Sequence, residues 1–91
     1  MSQHDLREHL RRLLLDDARL RDQLREAGLL PGEEESLSLQ HLETARVVRT
    51  LIHELEINWP GVEVILRMRT ELLATRQQVS ELAQLLRELQ R

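Results

Sequence analysis

The sequence predicts an all-α protein, a small helical head followed by a long coiled stalk, and three observations predict it. The apolar residues are mainly leucine, with one tryptophan, no phenylalanine and no tyrosine in 91 residues. Strands draw on β-branched and aromatic side chains, so a leucine core favours helices. Apolar positions recur at spacings of three and four through most of the chain, the period of a helix with one buried face. Between these stretches stand residues that cap or stop helices: Asp16-Asp17, Gly28, Pro31-Gly32, Ser38 and Asn58-Trp59-Pro60-Gly61. The length suits one structural domain, divided into a head, residues 1–58, and a stalk, residues 59–91.

Ser2 followed three residues later by Asp5 resembles a helix start, although Glu or Gln is usual at that place. Leu6, Leu10, Leu13 and Leu14 then predict a helix over residues 3–14. Asp16 or Asp17 caps a second helix, with Leu20, Leu24 and Ala27 on its buried face, and Gly28 ends it in the left-handed conformation. A very short turn joins the two, the grammar of a helix-turn-helix unit. Residues 29–37 are the one long break in periodicity. There Pro31-Gly32 marks a turn and Glu33, Glu34 and Glu35 are solvated. Ser38 caps a third helix with the stripe Leu42, Ala45, Val48, Leu51, Ile52 and Leu55, wide enough for a core helix.

Asn58 caps the fourth helix and Pro60 occupies its first turn, where the missing amide hydrogen has no partner to lose. Trp59, with Pro60 and Gly61, forms the structural junction, and its ring is the largest apolar contact able to fix the angle between the third and fourth helices. Buried there, Trp59→Ala would cost about 3–5 kcal/mol. From Ile65 onward, Ile65, Met68, Leu72, Thr75, Val79, Leu82, Leu86 and Leu89 alternate spacings of three and four. That is a heptad a/d register with one polar member, over about 37 Å of helix. Arg69, Glu71 and Arg76 flank it. So long a stripe predicts a homodimer through Ile65, Met68, Leu72, Val79, Leu82, Leu86 and Leu89; the alternative is a single amphipathic helix folded back on the head.

Composition excludes several function classes. With no cysteine there is no disulfide or thiolate zinc site. There is also no lysine or tyrosine, no nucleophile elbow and no glycine-rich phosphate loop, so the expectation is a protein that is no enzyme, with no catalytic residues and no cofactor. His4 with Glu8, and Asp5 with His9, lie four apart near a terminus, which is too little for a metal site, and none is expected. His41 and His53 read as surface or boundary residues. No apolar signal core and no stretch long enough to span a membrane is present, so a soluble, cytoplasmic chain is expected.

The net charge is −3 and unevenly spread. Residues 1–31 carry six Arg against six Asp/Glu, residues 32–58 two against six, and residues 59–91 five against four. Arg7, Arg11, Arg12, Arg19, Arg21 and Arg25 in the head invite a DNA-binding reading, because the second helix of a helix-turn-helix enters the major groove. Asp16, Asp17, Asp22 and Glu26 cancel phosphate attraction locally. Where a wing should follow the DNA backbone, Glu33, Glu34 and Glu35 stand instead. The charge pattern therefore weighs against DNA.

The stretch His53-Glu54-Leu55-Glu56-Ile57-Asn58-Trp59-Pro60-Gly61-Val62-Glu63-Val64-Ile65-Leu66 resembles the corresponding stretch of the chaperone-modulator family CbpM. In that family a helix ending in a similar His-Glu-Leu leads into Trp-Pro-Gly and a leucine-rich helix. Leu24-Arg25-Glu26-Ala27-Gly28-Leu29-Leu30-Pro31 resembles the end of the family's second helix. The element order is similar to a MerR-like helix-turn-helix head followed by a coiled coil, over most of residues 16–90. Two departures stand out. MerR-type DNA binders carry Arg-x-Tyr at the return of the wing, where this chain has Ser36-Leu37-Ser38, and the first helix lacks the family's aromatic residues.

The resemblance implies a modulator that binds the J-domain of a DnaJ- or CbpA-type co-chaperone and controls its access to DnaK, as inhibitor or assembly factor. The J-domain helix that meets DnaK is basic in such co-chaperones, so an acidic face would complement it. The sequence places that partner-binding face among Glu33, Glu34, Glu35, Glu43, Glu54 and Glu56. The competing reading is a MerR-type DNA-binding transcriptional regulator, heat-shock repressors included, and a third is a coiled-coil module without J-domain affinity.

Overall fold

The computed structural model describes residues 1–90; Arg91, the last residue of the expected stalk, lies outside them. All regular structure among the described residues is helical. Helix α1 spans Gln3–Leu13, α2 Ala18–Glu26, α3 Leu39–Arg49 and α4 Trp59–Leu89, and α3 runs on into a π-helical turn, Thr50–Glu54. The chain forms two compact units, Met1–Ile57, which holds α1 to α3, and a second that begins at Asn58 and is essentially α4.

Each helix starts at a residue suited to the purpose. Ser2 Oγ accepts the Asp5 amide at 3.1 Å, and the Asp5 carboxylate accepts the Ser2 amide at 3.2 Å. Aspartate thus closes a reciprocal capping box usually closed by a longer acid. The bond from the Ser2 backbone, with the Ser2 side chain second, holds the Asp5 carboxyl below its ordinary range. Asp17 caps α2 by accepting the Leu20 amide at 3.0 Å. Ser38 caps α3, and the reciprocal partner there is His41, whose Nδ1 accepts the Ser38 amide at 3.0 Å. Asn58 Oδ1 accepts the Gly61 amide at 3.0 Å, with Pro60 in the first turn of α4.

The ends are equally local. At Gly28, φ is +76°, the Gly28 amide donates to the Arg25 carbonyl at 3.0 Å and the Leu29 amide to the Leu24 carbonyl at 2.9 Å. This pair of bonds is a Schellman motif, and it satisfies carbonyls that the helix leaves open. Between α1 and α2 the chain turns through Leu15 (φ +55°) and Asp16 (φ +57°), two consecutive left-handed residues that are not glycine. Such residues cost about 1–2 kcal/mol each. Buried Leu14 on one side and the Asp17 cap on the other hold them in place.

The core of the first unit is leucine from every helix and from the loop. Leu6, Leu10, Leu13, Leu14, Leu20, Leu24, Leu30, Leu37, Leu42, Ala45, Val48 and Leu51 are all buried. Helix α1 packs chiefly on α3. The last residues of the loop before α3 are tied to α1 by Gln3, which accepts the Leu37 amide at 2.8 Å and donates to the Leu37 carbonyl at 2.9 Å. One amide thereby completes both backbone groups of a residue in an irregular segment.

Three expectations need correction. Leu55, expected to end the α3 stripe, is 59% exposed. The π-turn, with the Leu55 amide bonded to the Thr50 carbonyl at 3.1 Å, adds a residue to the turn and ends the helix with Leu55 off the buried face. Ala27 is exposed, because α2 stops one residue before it and the chain is already turning toward Gly28. Trp59 is half-buried, so its truncation falls short of the core-sized loss expected of a buried ring.

Helix α4 has 31 residues, a length of about 46 Å. No helix among the described residues is long and apolar enough to cross a membrane. Of the expected seam, Met68, Leu72, Val79, Leu82, Leu86 and Leu89 are exposed, from 51% at Leu72 to 81% at Leu89, and Ile65 is half-buried. Thr75, the polar member, donates its hydroxyl to the Glu71 carbonyl of the same helix at 2.9 Å. Its polarity is answered internally, which leaves the methyl group to the stripe.

Candidate binding surfaces

The six glutamates expected to form an acidic face stand in three different places. Glu33, Glu34 and Glu35 sit together on the loop between α2 and α3, which turns on a bond from the Glu35 amide to the Gly32 carbonyl at 3.0 Å. Glu43 lies in α3 and pairs with Arg46, one turn on, at 3.0 Å. Glu54 closes the π-turn, and Glu56 lies just beyond it in a left-handed conformation, φ +55°. All six are exposed. Glu34, Glu35, Glu54 and Glu56 have no ion-pair partner among the described residues.

The loop glutamates are not alone. They border a cleft of about 550 Å³ whose other walls carry Arg7 and Arg11 of α1 and Arg21 and Arg25 of α2, with Leu10, Leu30, Pro31 and Leu37 among the apolar lining. Helical spacing explains the gathering: each arginine pair is four residues apart, so each presents two guanidinium groups on one face of its helix. Within the cleft Arg25 reaches the Glu33 carboxylate at 3.2 Å, and Arg7 donates to the Glu33 carbonyl at 3.2 Å. Arg11 is held elsewhere, by Glu8 at 2.8 Å and Asp16 at 3.3 Å. The hydrogen bond from Arg11 keeps the Glu8 carboxyl below its ordinary range, and the bond to Glu8 with the charge of Asp16 raises Arg11 in turn.

The contacts with Glu33 were not visible in the sequence, where the same arginines invited a DNA-binding reading; the Arg11–Glu8 pair is an ordinary pairing within one helix. The spacing of the arginines could have signalled two basic faces, but only the turn at Leu15-Asp16 and the path of the 29–37 loop set them around one cleft. On α2, Arg25 is three-quarters buried and bonded to Glu33 and Arg21 is half-buried, while Arg19 is exposed.

Among the described residues no three metal-ligating side chains gather in one place. His4 and His9 on α1 are not accompanied by a third ligand, His53 is exposed, and His41 is committed to its cap. Trp59, Pro60 and Gly61 form the first turn of α4, behind the Asn58 cap. Compared with known proteins, the chain matches no family model, no curated protein and no solved structure.

Proposed function

We propose that the chain is a chaperone modulator: it binds the J-domain of a DnaJ- or CbpA-type co-chaperone and controls its access to DnaK, as inhibitor or assembly factor. In this reading α1 and α2 are the helix-turn-helix of a MerR-like head, and α4 is a coiled-coil stalk through which two copies pair. The observation that carries it is the CbpM-like stretch from His53 to Leu66, centred on Trp59-Pro60-Gly61. The capped start of α4 gives that stretch a structural reason, since Asn58 and Pro60 do at this boundary what the motif needs.

Two further observations support the reading. Glu34, Glu35, Glu54 and Glu56 are exposed carboxylates without ion-pair partners among the described residues, available to a basic helix. The stripe from Met68 to Leu89 is exposed in the single chain, which a second stalk would cover. Calorimetric titration with the isolated J-domain of the host's co-chaperones tests the function. Binding in the micromolar range or tighter is expected, weakened by the pair Glu34→Arg and Glu35→Arg. No heat with any J-domain of the host would overturn it. Steeply salt-dependent binding to a duplex of defined sequence would put a DNA-binding regulator in its place.

A further inference from the structure

The apolar stripe of α4 is flanked by charges that the helix itself does not use. With Ile65 as heptad position a, the a residues are Ile65, Leu72, Val79 and Leu86, and the d residues are Met68, Thr75, Leu82 and Leu89. The e positions beside this seam then carry two charges, Arg69 and Arg76, and the g positions carry one, Glu71. Glu71 and Arg76 are exposed, and neither has an ion-pair partner among the described residues. They stand five residues apart, whereas on a single helix it is residues three or four apart that face each other. Five is the spacing at which a g residue meets the e residue of a second strand running in the same direction.

We propose that two copies of α4 pair parallel and in register along this seam, with Glu71 of each copy reaching Arg76 of the other. The proposal rests on the pairing of stalks in the reading above and adds its direction. Two-fold symmetry makes the Glu71–Arg76 contact twice. The remaining g-to-e meetings join Val64 to Arg69, Gln78 to Ala83 and Leu85 to Gln90, and none sets like charges together. An antiparallel pair instead sets e against e and g against g. Over the full stripe, with Ile65 level with Leu89, Arg76 would face Arg76 of the second copy and Glu71 would face Leu85. Sliding that pair by one heptad either brings Arg69 against Arg76 or gives up the layers of Ile65 and Met68. The seam agrees with the charges, since β-branched Ile65 and Val79 at a with Leu82 and Leu89 at d suit a parallel pair of two strands. Thr75 does not oppose it, because its hydroxyl is already bonded to the Glu71 carbonyl at 2.9 Å. Parallel pairing joins both first units to one end of the stalk.

The chain has no cysteine, so Gln90→Cys gives the full chain a single site for a nitroxide label, at an exposed residue beside the end of the seam. Double electron–electron resonance on the labelled chain reads the direction. In the parallel pair both labels lie at one end, separated by two helix widths and the label arms, below about 30 Å. In the full antiparallel pair Gln90 lies level with Val64 of the second copy, which parts the labels by about 39 Å along the axis alone. Sedimentation at low salt reads the charges. Glu71→Arg and Arg76→Glu should each weaken the dimer about fivefold, and the double variant, with the pair exchanged, should recover the parent's affinity. A label distance near 40 Å, or a double variant no tighter than the single ones, would overturn the parallel arrangement and leave the pairing of stalks standing. A parent that sediments as a monomer at every concentration would overturn the pairing itself.

Discussion

The first 57 residues and α4 use the same leucine-rich alphabet to opposite ends. In the first unit the stripes of three short helices and two loop leucines close on one another, and Leu24, Ala45 and Val48 are wholly buried. In α4 the stripe from Met68 to Leu89 faces outward. Val62 and Leu66 are the buried residues of α4, and beyond Leu66 the helix has nothing among the described residues to bury against, so its apolar face there is a surface. In the proposed dimer the heptad pattern serves association, whereas the mixed pattern of the first unit serves folding.

The largest expected effect breaks the first half of this comparison. Leu24→Ala empties a site of zero exposure and should lower stability by about 2–5 kcal/mol in a urea titration. The matched change in the stalk should do something different. Leu82, 61% exposed, should when replaced by Asp leave the unfolding free energy of the first unit within about 0.5 kcal/mol of the parent. Sedimentation should show the variant shifted to the monomer, if two stalks pair along this stripe. A parent that sediments as a monomer at every concentration would leave the exposed face to a different partner.

Smaller effects sharpen the account of how the first unit closes. Gln3→Ala removes both bonds to Leu37 and strands a buried residue's amide and carbonyl, so a loss of about 1–3 kcal/mol is expected. Gly28→Ala should cost about 1–2 kcal/mol. That cost is conformational: nothing lies within 4 Å of where a Cβ would stand, and φ is +76°. Crowding can thus be told from strain, because Gly28→Asn, which tolerates the left-handed region, should recover much of the loss.

What was legible in the sequence was local. Ser2, Asp17, Ser38 and Asn58 cap the four helices where their positions suggested, Gly28 stops α2, and the leucines of α1 are all buried. Each of these is decided within four or five residues. The rest depends on distance or on phase. The Gln3 clamp reaches 34 residues along the chain, and no spacing rule spans that. The π-turn has no signature in Thr50-Leu51-Ile52-His53-Glu54 that separates it from ordinary helix, so periodicity alone carries the stripe too far, to Leu55. Of the candidate site, the glutamates of the 33–35 loop were legible as a charge run, but the arginines they border were not, because the cleft exists only once α1 and α2 are set beside the loop.

The smallest expected effect concerns the first cap and separates the units by pH. Asp5 is held below its ordinary range by the Ser2 backbone bond, so its folded value lies under its unfolded one. A group of this kind contributes stability that is fully present above the unfolded value, near pH 4, and is lost as pH falls through the lower folded value. Glu8, lowered by Arg11, acts in the same direction over the same acid window. Both residues belong to α1. Acid should therefore loosen the first unit before it touches the stalk. Amide exchange followed from pH 5 downward should show α1 losing protection first, and in Asp5→Asn the acid-side slope for α1 should be shallower than in the parent. Loss of protection that begins in α4, or a slope unchanged by Asp5→Asn, would mean that the capping box at Ser2 and Asp5 does not hold the start of α1.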